Sequence, residues 1–110
     1  MWFPNKRKVM FELSALHAHS KGMEAQLAVI ADSFKEGDQL FGPIEELADF
    51  RQEMADTTQA LYMASAAVFC EQVPARAMAK KLPFFRQELL AYQQAISATR
   101  QSISQIRQAG

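Results

Sequence analysis

The residues with chemistry to offer are few. His17 and His19 are the two histidines of the chain. Two residues apart on a helix they point to different faces, so they do not form a metal pair. Zinc or iron held inside a helical bundle wants ligands three or four residues apart, as in Glu-x-x-His, and no such run of histidine with carboxylates occurs. Carboxylates are dense at Asp32, Glu36, Asp38, Glu45, Glu46, Asp49, Glu53 and Asp56. General acid–base work needs an apolar pocket that separates two such groups in proton affinity, whereas these fall around a loop and helix ends and read as a solvated acidic end. The serines lack a glycine-flanked nucleophile elbow, and no glycine-rich phosphate loop is present. The expectation is a non-enzymatic chain with no cofactor, no metal and no small-molecule substrate.

The elements that would position any functional surface are legible from punctuation. "KEGDQLFGP" at 35–43 and "EQVPARAMAKKLP" at 71–83 hold every internal proline after Pro4 and two of the internal glycines. Three long segments remain, predicting helices over about 5–36, 43–72 and 83–109, with a short turn or helix over 74–81. Pro43 and Pro83 suit first helical turns, where a missing N–H removes no bond, and Glu45, Glu46 and Asp49 suit the positive end of a helix. No apolar–polar alternation flanked by turn residues suggests a strand.

Spacing strengthens the helical reading. Val9, Leu13, Leu16, Ser20, Met23, Leu27, Ile30 and Phe34 recur at alternating intervals of three and four. So do Leu47, Phe50, Met54, Thr57, Leu61, Ala64 and Val68, and then Leu82, Phe85, Leu89, Tyr92, Ile96, Thr99, Ile103 and Ile106. That alternation is the seam of a left-handed supercoil. The 110 residues, 49% hydrophobic, are one domain's worth of chain. The expected fold is all-α: an elongated three-helix up-down-up bundle with coiled-coil-like seams, about 45 Å long at 1.5 Å per residue.

The stretch "ALYMASAAVFC" at 60–70 carries no charge. It is too short to span a bilayer, which needs about 20 apolar residues. Besides its seam it has a second apolar face, Tyr62, Ala66, Phe69 and Val73. Either the middle helix touches both others, or this face meets a second copy or a partner helix, with Ala60, Ala64 and Ala67 permitting close approach.

Charge is balanced overall, 12 basic against 12 acidic residues, so any electrostatic argument is local. An up-down-up fold gathers the acidic residues at one pole and Lys6, Arg7, Lys8, Arg76, Lys80, Lys81 and Arg86 at the other, with Trp2, Phe3, Phe84 and Phe85. Cations at a helix start oppose the positive amide end. Either Lys6, Arg7 and Lys8 serve a binding function, or the first helix begins later, near Val9. Glu12, His17 and His19 interrupt the apolar run that a secretory leader would need, and the lone Cys70 fits a reducing, cytoplasmic setting.

Two functions are compatible with these features. The first is a helical interaction or regulatory module that docks partner helices or self-associates. The alternative is a surface-associating protein whose basic aromatic tip engages an anionic membrane, a granule or nucleic acid. Finally, Ser20, Thr57 and Thr99 are the hydroxyls of the three seams, and their distances from the two turns predict one polar layer that fixes register. Each could instead bond its own carbonyl four residues back, with no layer at all.

Overall fold

The computed structural model describes residues 6–32 and 41–109. Four helices occur in these segments: α1 Lys6–Asp32, α2 Phe41–Phe69, α3 Ala75–Ala79 and α4 Leu82–Ala109. No strand occurs among the described residues. The three long helices pack together, and α3 is a single turn that closes one end. The molecule measures 62 × 20 × 16 Å along its principal axes.

The seam positions explain the packing. Val9, Leu13, Met23, Leu27 and Ile30 are buried on α1, as are Met54, Leu61, Ala64 and Val68 on α2 and Leu82, Leu89 and Ile96 on α4. Leu16, Phe50, Phe85 and Tyr92 are partly buried against them. Met78 of α3 joins the same core, so the short helix acts as a plug. Phe34 lies outside the described residues, as do the side chains of Leu47, Ile103 and Ile106.

The middle helix α2 touches both other long helices, but the helix that packs backbone-close on all the others is α1. Packing against α2, α3 and α4 all converges on α1, while α2 meets α4 through side chains that reach across. Tyr92 of α4 does the reaching: its ring stands edge-on to Phe50 at 5.3 Å, and its hydroxyl meets Thr57 Oγ1 at 3.0 Å. A long side chain thus fills the space that closer helix axes would have closed.

The start of α1 lies beside the end of α2, with Lys6 meeting Phe69 and Glu71. Further along, His17 stands near Tyr62, and both Ser20 and Glu24 meet Thr58. The alternative in which the first helix starts near Val9 is corrected, because α1 is helical from Lys6.

Helix α2 ends in a reverse turn without a glycine. The Glu71 amide donates to the Val68 carbonyl at 3.1 Å and the Gln72 amide to the Ala67 carbonyl at 2.9 Å, which is the Schellman pattern. Glu71 takes the left-handed conformation at φ 61° that the motif demands. Pro74 follows, extended at φ −61° and ψ 142°, and opens α3. A side chain in the left-handed region costs roughly 1–2 kcal/mol, part of which a glycine's larger unfolded-state entropy would offset. Glu71→Gly should therefore raise the melting temperature by a few degrees, about 0.5–1 kcal/mol, even after losing the exposed pair with Lys6. Glu71→Val should lower it. Thermal melts followed by circular dichroism check both signs.

Candidate functional site

Two regions concentrate the polar and exposed apolar side chains: a buried hydroxyl network at mid-height and the end of the molecule where α3 sits. Ser20 is fully buried, and its hydroxyl meets Thr58 Oγ1 in a short hydrogen bond. Thr58 Oγ1 also lies 2.7 Å from Glu24 Oε2 and 2.9 Å from the Met54 carbonyl oxygen. A hydroxyl has one proton to give. The carboxylate and the carbonyl only accept, so Thr58 donates toward them and Ser20 donates to Thr58. The chain of bonds runs from a buried serine outward to a part-exposed carboxylate. With no exposed surface, Ser20 is out of reach of a substrate, and its role is to join α1 to α2.

The expected layer of Ser20, Thr57 and Thr99 is not what the helices assemble. Ser20 bonds Thr58, Thr57 bonds Tyr92, and Thr99 donates to its own Ala95 carbonyl at 2.8 Å. The cause is helical geometry. Adjacent positions on a helix point about 100° apart, so α2 presents Thr58 to α1 and Thr57 to α4. Thr99 is seven residues beyond Tyr92, and the local bond to its preceding turn satisfies it. The seam spacing named Thr57 and passed over Thr58; two consecutive threonines in a helix that must face two neighbours were the available signal.

At the other region, Lys6 is held rather than free. Its ammonium donates to the Phe69 carbonyl at 3.1 Å and to Glu71 Oε1 at 3.3 Å, and sits 5.7 Å from the centre of the Phe69 ring. The end of α2 is the negative end of its dipole, so it offsets the unfavourable placement of a cation on the first residue of α1. Arg86 pairs with Glu12 across α1 and α4. Arg7, Lys8, Arg76, Lys80 and Lys81 are exposed. Trp2 and Phe3 lie outside the described residues. Thus α1, α3 and α4 bring these basic residues to one end, while Asp49, Glu53 and Asp56 are exposed on α2 toward the other, with Arg51 among them.

The apolar face read from α2 is open. Tyr62 and Phe69 are 64% and 66% exposed, Ala66 is exposed and Val73 is partly buried against the core. Met63 beside them is also exposed. Phe84, named in the basic aromatic tip, is exposed on α4; Phe11 and Val29 on α1 and Leu90 on α4 are exposed apolar residues that the single seam per helix left unremarked. His17 lies near Tyr62 with ring centres 6.2 Å apart and lines a shallow groove between α1 and α2, together with Lys21, Glu24 and Gln59. His19 is exposed and points elsewhere. Among the described residues no group of histidine, cysteine and carboxylate side chains is arranged to hold a metal ion, and no helix is long and apolar enough to cross a membrane. Cys70 is an exposed free thiol.

The hydroxyl network predicts a non-additive pair of substitutions. Thr58→Val strands the buried Ser20 hydroxyl and should cost about 1–3 kcal/mol. Adding Ser20→Ala to it should recover at least about 1 kcal/mol of that loss, because both partners are then apolar. Urea titrations of the two single variants and the double measure the coupling.

No family model, no curated protein and no solved structure matches the chain.

Proposed function

We propose that the chain is a non-enzymatic helical interaction module of the reducing cytoplasm, built as an up-down-up bundle with coiled-coil-like seams, whose α2 face docks an amphipathic helix. The observation that carries this reading is the exposure of Tyr62 and Phe69, two large apolar residues seven apart on one helix, with Ala66 between them. Residues at this spacing line one stripe, the footprint that a helix laid in a groove requires. Aromatic anchors contribute most of the affinity at such surfaces, and the alanine between them lets a partner helix approach. The succession of contacts between α1 and α2, Lys6 with Phe69, His17 with Tyr62 and Ser20 with Thr58, supports the opposite course of these two helices. The core positions at alternating spacings of three and four support the seams.

The test is a titration with amphipathic helical peptides bearing apolar residues at every third and fourth position, followed by backbone amide chemical shifts. Shift changes should gather at Tyr62, Ala66, Phe69 and Val73. Ala66→Asp should weaken binding by at least about tenfold with helix content kept. Shifts that avoid this face for every peptide contradict the reading.

A second reading rests on the basic end, where Lys8, Lys80 and Lys81 are exposed and Phe84 is 69% exposed on the first turn of α4. Such an end suits an anionic surface, at about 1 kcal/mol for each lysine near the headgroups. Lys8, Lys80 and Lys81 replaced together by Gln should reduce binding to anionic vesicles by roughly 100-fold at low salt, leaving Lys6 to hold the helix ends. Sedimentation with vesicles measures it, and a wild-type chain that stays in the supernatant at low salt removes this reading.

A further inference from the structure

Helix α1 carries a second stripe that none of the described elements covers. Phe11, Ala15, Ala18, Gly22, Ala25 and Val29 recur at intervals of four, three, four, three and four, and all six are exposed. The two large members stand at its ends, Phe11 at 76% and Val29 at 68% exposure. The stripe has the period of a helix–helix seam and lies on the side of α1 away from its core residues. Gly22 adds an independent observation. A helix-interior glycine is destabilising relative to alanine, and a methyl group at Gly22 would meet nothing within 4 Å. Nothing among the described residues requires a glycine there, whereas close approach of a second backbone would.

We propose that this stripe is the interface of an antiparallel homodimer in which α1 of one copy packs against α1 of another. The partner is identified by register and by charge. The spacing reads the same in both directions about residue 20, so a two-fold axis there sets Phe11 against Val29 of the second copy, Ala15 against Ala25 and Ala18 against Gly22. Each large residue meets a large one at the ends, and small residues meet at the centre, where the axes come closest. Continuing the stripe three residues outward reaches Lys8 at one end and Asp32 at the other, so the same register places a basic position opposite an acidic one.

The whole molecule follows the same polarity. Arg76, Lys80, Lys81 and Arg86 lie at the end where α1 begins, and Asp49, Glu53 and Asp56 lie along α2 toward the end where α1 finishes. Across the α1 faces an antiparallel pair sets position 8, a lysine, opposite position 32, an aspartate, whereas a parallel pair would set each opposite its own copy. In this register Lys21 falls opposite position 19 of the second copy, at the edge of the stripe, on a stem long enough to turn its ammonium group to water.

This interface is separate from the α2 face, and the experiment keeps the two apart. Sedimentation equilibrium of the full chain across the micromolar range should give a two-chain mass. Ala18→Glu should raise the dissociation constant at least about tenfold without loss of helical circular dichroism, while Ala66→Asp should leave the dimer intact. In a Cys70→Ser background, a short bismaleimide should join Ala15→Cys chains to Ala25→Cys chains in a mixture, and neither variant to itself. A one-chain mass at every concentration overturns the proposal. So does a dimer indifferent to Ala18→Glu, or self-linking of Ala15→Cys, which would mean parallel pairing.

Discussion

Everything else in this fold closes onto the buried face of α1. Val9, Leu13, Met23, Leu27 and Ile30 form one apolar stripe, and onto it fall the inner residues of α2, the plug residue Met78 and the inner residues of α4. One helix that contacts the three others has to present different sectors of its surface to each, which widens its buried face and leaves a correspondingly narrow outer one. The apolar contacts are indifferent to small slips along the axis. The bond between Ser20 and Thr58 is not, because a slip would strand a fully buried hydroxyl. Packing supplies the driving force for α1 and α2 to associate, and the hydroxyl pair selects one registration among the apolar ones.

With α1 as the shared helix, the arrangement of α2 and α4 follows. These two approach each other through Tyr92, which touches both Phe50 and Thr57, instead of through a dry seam. Their outer faces are therefore left to solvent over much of their length, with Tyr62, Met63 and Phe69 on α2 and Phe84 and Leu90 on α4. The end where α1 begins is fastened by polar contacts, Lys6 to the end of α2 and Arg86 to Glu12. Lys6, on the first turn of α1, thus has a structural share as well as an electrostatic one.

Much of this architecture was legible in the sequence, since the alternation of three and four marks the buried residues of all three long helices and the proline-rich segments mark the breaks. The polar layer was less so. Counting residues from the turns singled out Ser20, Thr57 and Thr99, but Ser20 bonds Thr58, Thr57 bonds Tyr92 and Thr99 bonds its own helix. Rotation about a helix axis cannot be counted along the chain, and one residue's rotation decides which neighbour a hydroxyl meets. The turn at Glu71 had no signal at all, because its left-handed conformation falls on a residue that rarely adopts it. The outer stripe of α1 was written in the same spacing as the inner one. One seam accounts for packing in a three-helix bundle, so a second becomes conspicuous only once the first is seen to be filled and Phe11 and Val29 are seen to be bare.

Hydrogen exchange along the native chain tests the primacy of α1 most directly. Protection reports the free energy of opening each segment, and the helix gripped by all the others should open last. The slowest amides should be those of α1 between Leu13 and Leu27 and those of α2 between Met54 and Val68. The amides of α4 beyond Tyr92, held through Ile96 and a few partly buried neighbours, should exchange at least about tenfold faster. Protection in α4 equal to or greater than that in α1 would contradict the account.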